Sequence, residues 1–335
     1  MKTSMALTFF DLRRYRWLSY LLIAITVCAL LAGIVLTRFV EDRLVEAKGK
    51  ELTLAASEVA EKLDRMLFER QGDVLMMARA FSAQASDPAY LSEYLRWMKT
   101  EYSPVYLLIA VTDSQGMVVA ATEPSLVGRD NSHMASFVAV RATRRLDIAD
   151  VGAQQAESGV DTIAFTAPIF DPQGAFAGVV TSRVGVPFLE EVTTRTIRSL
   201  EAGQRAGVRV AYQMLTKQGR VFADSDQSGK GTANLKELSS PSMLLSEAGV
   251  PGYIEEEHVR RHVQVITGYA QTRGFRESAG LAWSVLLRMD RQDILAPIHA
   301  FLWKVWIVGG MSCRSIRSRT DQASPADSRK PLVCA

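Results

Sequence analysis

Between Cys28 and Cys313 the chain contains no cysteine, and it has only three in 335 residues. That absence excludes a disulfide framework for the intervening segment. It suits a domain exported to an oxidising compartment that avoids free thiols. Histidine is nearly as scarce, at positions 133, 258, 262 and 299. With no cysteine cluster beside these four, the sequence argues against structural zinc, and no metal or other cofactor is expected. The formal net charge is +3, too small for a nucleic-acid footprint. Catalytic signatures are missing too. The chain has no G-x-S-x-G, Walker A loop, Rossmann glycine fingerprint or H-E-x-x-H, so no enzyme chemistry is expected. Gly229-Lys-Gly231 is too short to cradle a phosphate and reads as a surface loop. Glu255-Glu-Glu-His258 reads as the acidic start of a strand that also carries Val259, Val263, Val265 and Ile266. On that strand His258 and His262 share a face but stand too far apart for easy joint ligation.

What is present begins with an uncharged apolar run, Trp17 to Thr37. A bilayer core needs about 20 apolar residues in a helix, and this run meets that length. A cleaved signal peptide has an apolar region of about 7–15 residues and a small-residue cleavage site. Here the run passes directly into Arg38-Phe39-Val40-Glu41-Asp42-Arg43, so it reads as an uncleaved anchor. Arg13, Arg14 and Arg16 cluster before it, while Arg38, Arg43, Lys48 and Lys50 follow. The count favours neither end, and the tighter cluster places residues 1–16 in the cytoplasm. A second, poorer apolar run at 294–311 holds Pro297, His299 and Lys304. A lysine near the bilayer centre costs about 2.5–3.5 kcal/mol, so this second membrane helix is marginal. The tail 312–335 lacks apolar periodicity and reads as disordered, with Arg314, Arg317 and Arg319 suiting a cytoplasmic flank.

From Arg38 to Phe81 there is no proline, and glycine occurs only at 49 and 72. Val40, Leu44, Leu52, Ala55, Val59, Leu63, Met66 and Phe81 fall mostly three or four apart. This predicts one amphipathic stalk helix of roughly 60 Å, continuing the membrane helix. A stripe this long serves the adjoining domain and a partner helix, so a homodimer is expected. A second helix is predicted over Pro88–Glu101, stopped by Ser103-Pro104. The period then becomes that of strands: Val105–Val111, turn Asp113-Ser-Gln-Gly116, Met117–Thr122, Leu146–Val151, Asp161–Phe170, turn Asp171-Pro-Gln-Gly174, and Ala175–Val184. A helix over Pro187–Leu200 closes this half. The plan then repeats, with strands at Val208–Thr216, Arg220–Ser225, Val259–Gln271 and Leu281–Arg288 about a hundred residues on. The expected fold is α+β, with two tandem PAS-like modules built on antiparallel sheets, at 104–203 and 204–293. The stalk and second helix together occupy 38–103.

The stalk, the two hairpin-bearing modules and the closing run from Gly280 through Trp283 to Ile298 resemble the double Cache sensor domain of bacterial transmembrane receptors. The resemblance covers about Phe39 to Pro297. It implies an extracytoplasmic module set anchored in the inner membrane, periplasmic or extracellular in location. The membrane-distal module would bind a small molecule and the proximal one would relay the change to a kinase, cyclase or chemotaxis output. No such output domain fits in the tail, so the sequence reads as a receptor truncated or frame-shifted before it. The alternative reading is a membrane-anchored binding protein acting as the regulatory subunit of a partner chain.

The segment Leu126-Val-Gly-Arg-Asp-Asn-Ser-His-Met-Ala-Ser-Phe137 is similar to the loop-into-helix element that lines the family's distal pocket. Candidate ligand-binding residues are Arg129, Asp130, His133, Phe137 and Arg183. Arg129 can grip a carboxylate with two parallel hydrogen bonds. It can equally form a local ion pair with Asp130, where Asp130 or Ser132 is the expected helix N-cap. Phe137 fits either the pocket or the core. Amino-acid-binding members of the family carry an aromatic pair near this helix and an aspartate that grips the amino group. Here Met134-Ala-Ser-Phe137 stands near the first, and Arg183 about where the aspartate is expected. A guanidinium there reverses the preferred charge, so an anionic ligand such as a small carboxylate is expected.

Overall fold

In the computed structural model of the chain the described residues are 16–82, 87–103, 105–152, 160–204, 208–226 and 234–304. Helix α1 (Arg16–Phe81) is unbroken over 66 residues, as its lack of proline allows. Among the described residues it is the one helix long and apolar enough to cross a membrane. Of the second apolar run, residues 294–304 are helical and 305–311 lie outside the described residues, as do the Gly229-Lys-Gly231 loop and the tail 312–335.

The chain divides into two compact units, residues 1–47 with 292–335, and residues 48–291. In the first, apolar side chains of α1 such as Trp17, Ile23, Leu30, Ile34, Val35 and Leu36 are exposed. Ile294 and Leu295 are buried, and His299 Nε2 lies 3.2 Å from Glu41 Oε1.

The second unit holds two five-stranded antiparallel sheets. The first orders its strands β2-β1-β5-β4-β3, formed by β1 (Tyr106–Asp113), β2 (Val118–Ala121), β3 (Asp147–Ala149), β4 (Thr162–Phe170) and β5 (Phe176–Gly185). The second runs β7-β6-β10-β9-β8, from β6 (Ala211–Leu215), β7 (Val221–Asp224), β8 (Gly252–Glu257), β9 (Gln264–Gln271) and β10 (Ser284–Asp290). The two orders are the same permutation, as duplication of one module requires. Helices α2 (Pro88–Glu101), α3 (Ala135–Thr143), α4 (Val186–Ala202) and α5 (Pro241–Ser246) complete the unit. Helix α2 has the predicted bounds because Asp87 caps its first turn, accepting from the N–H groups of Ala89 and Tyr90.

Helix α1 buries Leu52, Val59, Leu63, Val74 and Phe81 in this unit. It comes so close to β9 that a Cβ on Gly268 would stand 2.5 Å from the carbonyl carbon of Leu52. Polar ties add to the apolar contact. Lys62 Nζ donates to Thr196 Oγ1 on α4 at 3.0 Å, and Tyr106 Oη on β1 donates to Asp73, which also pairs with Arg70.

One strand is not where periodicity placed it. The predicted strand at 259–271 begins only at Gln264, and residues 258–263 form the β8–β9 hairpin turn. The imidazole Nδ1 of His258 accepts from the N–H groups of Arg260 and Arg261, and His262 takes φ +50° while its N–H reaches the His258 carbonyl. A ring that caps a turn overrides the β preference of Val259. The two histidines therefore do not share a strand face. His262 Nδ1 instead sits 2.7 Å from Glu257 Oε1. The acidic run is the end of β8 rather than the start of a strand. It alternates, with Glu255 and Glu257 outward and Glu256 buried.

Candidate ligand cavity over the first sheet

The cavity of about 520 Å³ lies against β1, β2 and β5 under the segment leading into α3. All five residues singled out from the sequence border it: Arg129, Asp130, His133, Phe137 and Arg183. They come from two places, the 128–137 segment and the central strand β5.

The rim is shaped by backbone hydrogen bonds. At the β1–β2 turn Asp113 Oδ1 accepts from the N–H groups of Gln115 and Met117, and Gly116 takes φ +94°. A side chain on Gly116 would collide with the Ser132 backbone at 2.6 Å, so the turn can hold the rim closely only with glycine there. Residues 128–131 then extend the sheet edge. Val118 N–H donates to the Arg129 carbonyl at 3.0 Å, and Asn131 N–H to the Gly116 carbonyl at 2.9 Å. This anchoring presents the exposed Arg129, Asp130 and His133 at the mouth.

Asp130 does not cap α3. Its Oδ1 accepts from Ser132 N–H at 2.8 Å in a local turn, and the cap position belongs to Met134, whose side chain makes no cap bond. A carboxylate competes well for the nearest N–H, and Ser132 is nearer to Asp130 than the helix start is. That hydrogen bond, with the help of His133, holds the Asp130 carboxyl below its ordinary value.

Phe137 belongs to both readings. It is 2% exposed and packs with Val140 and Val179, with the Phe176 ring edge-on at 6.2 Å, while one face borders the cavity. Arg183 rises from β5 between Leu108 on β1 and Ala164 on β4, and is half-buried. Two residues earlier on the same face, Thr181 borders the cavity and bonds Thr166 Oγ1 at 3.1 Å. Sequence reasoning passed over Thr181, although its spacing of two from Arg183 places it on the same face. It also missed Glu123 and Ser136, which the cavity brings in from the turn after β2 and from α3. Ser136 lies within the 126–137 segment but was not singled out there, and nothing in the local sequence marks Glu123. The charged lining is thus Arg129 and Arg183 against Glu123 and Asp130, with His133 beside them. Among the described residues no group of His, Cys, Asp and Glu could hold a metal ion.

A duplicated α+β unit with a lined cavity on one sheet and a long apolar helix ahead of it defines a ligand-binding domain on a membrane anchor. The chain belongs to the Cache domain family, whose model dCache_1 matches residues 36–298. No curated protein shows significant similarity to the sequence. Solved structures share the fold. An extracellular domain assigned to the histidine kinase rpHK1S-Z16 superposes with a TM-score of 0.57 at 16% identity, covering 74% of this chain and 97% of that one. The ligand-binding domain of the Pseudomonas aeruginosa PAO1 amino acid chemoreceptor PctC, solved with GABA, gives 0.53 at 17% identity over 72% of this chain and 100% of that one. An extracellular ligand binding receptor from Desulfohalobium retbaense DSM5692 gives 0.55 at 15% identity, over 71% of this chain. This chain spans 40% of that receptor's length. Family membership makes residues 36–298 an extracellular small-molecule sensor domain, a ligand-binding and non-catalytic module, on a chain whose α1 is long and apolar enough to anchor it in a membrane.

Proposed function

We propose that the protein is the sensory part of an inner-membrane signal-transduction receptor. Its first-sheet module, residues 104–203, is the membrane-distal one and takes a small carboxylate. The second module, 204–293, is membrane-proximal. The observation that carries the reading is the convergence of Arg183 on the cavity wall and Arg129 at its mouth on one space of about 520 Å³. Two guanidinium groups offer fork-shaped donor sets that match carboxylate oxygens, and Thr181 adds a hydroxyl beside the inner one. The PctC domain was solved with GABA, an amine-bearing carboxylate. Here a guanidinium rather than a carboxylate occupies the β5 wall, so the anchoring group on the ligand is its carboxylate. The exposed apolar length of α1 and its extended stalk support a homodimer that signals through paired helices.

The test is a thermal-shift panel on the whole chain in detergent, with mono- and dicarboxylates, amino acids and amines. Carboxylates should raise Tm and simple amines should not, and Arg183→Ala should abolish the rise. Stabilisation by every hit that survives Arg183→Ala unchanged would sink the carboxylate reading.

A further inference from the structure

The β8–β9 turn holds a titratable group in a hydrogen-bonding role that protonation abolishes. His258 is half-buried, and its Nδ1 accepts from the N–H groups of Arg260 and Arg261, both at 3.3 Å. A ring nitrogen accepts only through its lone pair, so the closed turn requires the neutral imidazole with its proton on Nε2. The backbone closes around that ring. His258 N–H donates to the Val263 carbonyl at 2.8 Å, and His262 N–H to the His258 carbonyl at 2.9 Å. A proton taken up at Nδ1 turns the acceptor into a donor facing two donors, and both side-chain bonds are lost.

The charges around the ring act in the same direction. Arg288 on β10 is 5% exposed, lies 3.5 Å from Glu256 Oε1 and donates from Nε to Thr267 Oγ1 at 3.3 Å. Burial, and then the positive charges of Arg288 and Arg261, keep the His258 imidazole below its ordinary value, while Asp226 and Asp224 pull the other way. The turn also carries the exposed Arg260 and, at its edges, the Glu257–His262 pair at 2.7 Å. Protonation of His262 keeps that pair and adds charge to it, so the two histidines respond to acid in opposite senses. For His258 the unfolded chain binds the proton at higher pH than the folded one. The closed turn is therefore stable above the ordinary imidazole value and weakens as pH falls through it.

The turn is tied to the end of its unit. Arg261 grips Asp290, the last residue of β10, with two parallel bonds, Nη1 to Oδ2 at 3.0 Å and Nη2 to Oδ1 at 2.7 Å. The next residue, Arg291, donates from Nε to Glu255 Oε2 on β8 at 3.1 Å. Here β10 passes into the helical segment 291–304, and here the unit 48–291 ends. One hairpin thus holds the chain on both sides of that junction. We propose that this hairpin is a second sensory input, a proton-responsive clasp that holds the exit from β10 while His258 is neutral and releases it when His258 is protonated. It uses neither the cavity over the first sheet nor its arginines. The chain reads acidity through the second module and a small molecule through the first.

The test is hydrogen–deuterium exchange on the whole chain in detergent, at about pH 7.5 and about pH 5, either side of the ordinary imidazole value of about 6.5. Protection is corrected for the intrinsic pH dependence of exchange. In the parent, protection of the 258–263 amides should fall about tenfold in acid, and that of 289–291 should fall with it. His258→Asn supplies a side-chain oxygen that accepts without titrating in this range, as Asp113 does in the β1–β2 turn, and its protection should be the same at both pH values. His262→Ala should keep the parent response. If His258→Asn does not fold, an NMR titration of the parent's four histidine rings decides. One imidazole should titrate below the ordinary value, at the pH where protection is lost; four ordinary titrations overturn the proposal. Equal protection of the parent at the two pH values also overturns it, as does an acid response that survives in His258→Asn. A response confined to 258–263, with 289–291 unmoved, overturns the clasp.

Discussion

Trp283 Nε1 donates a 2.8 Å hydrogen bond to Asp150 Oδ1, tying the residue that leads into β10 of the second sheet to the loop after β3 of the first. The indole is fully buried and its ring lies 4.8 Å from that of Phe222, so one side chain supplies both core and inter-sheet link. Trp283→Phe keeps the ring contact and leaves buried Asp150 Oδ1 with the Val151 N–H as its remaining donor. The expected cost is about 1–3 kcal/mol, read as a fall in the chemical-denaturation midpoint. Phenylalanine at no cost would show that the link is incidental.

The same junction makes stability depend on pH. Burial pushes the Asp150 carboxyl above its ordinary value, against the hydrogen bonds from Trp283 and Val151 and the nearby Arg220. The folded state then takes up this proton at higher pH than the unfolded chain does. Its contribution is greatest below the unfolded value and is lost as pH rises through the folded one. Asp150→Asn keeps an acceptor oxygen for Trp283 and removes the ionisation. A Tm-versus-pH profile should rise at neutral pH and flatten on the acid side. Superposable profiles for the parent and the variant would contradict this.

At the cavity, Arg183→Lys keeps the charge and gives up the planar fork. Hydrogen bonds to charged groups are worth about 1.5–3 kcal/mol, so carboxylate affinity should fall roughly tenfold to a hundredfold. Calorimetric titration separates this from Arg129→Lys, whose exposed position at the mouth predicts a smaller loss.

Two glycines distinguish close packing from conformational need. Gly268→Ala drives a methyl against the Leu52 backbone of α1 and should cost about 2 kcal/mol or more. Gly174 has open space around it but sits at φ +85°, so Gly174→Ala should cost nearer 1 kcal/mol. Equal costs at the two positions would show that α1 yields to the intruding methyl.

Much of this architecture is legible along the chain because its cause is local. Asp87 and Pro88 start α2, the Asp-x-x-Gly turns at 113–116 and 171–174 join hairpins, and the absence of proline keeps α1 continuous. The candidate site was legible in part. Arg129 and Arg183 were singled out by the resemblance to the double Cache domain, one in its loop-into-helix element and one at its aspartate position, and both border the cavity. Three features were not legible. The N-cap of α3 falls to Met134 because Asp130 spends its oxygen on Ser132. His258 caps a turn inside a valine-rich run that reads as strand. Glu256 sits in an acidic run that reads as the start of a strand, whereas the run ends β8, and its pairing opposite Val265 turns it inward toward Arg288.

By itself the sequence determined the apolar helix, most of the strands and the duplication, since periodicity and turn chemistry act over a few residues; it did not give α5 or β8. Tertiary structure decided that Arg183 borders a cavity and that Arg288 is buried against Glu256. Both depend on strands brought in from elsewhere in the chain, β1 in one case and β8 in the other. Those neighbours lie tens of residues away, and no local pattern carries their placement.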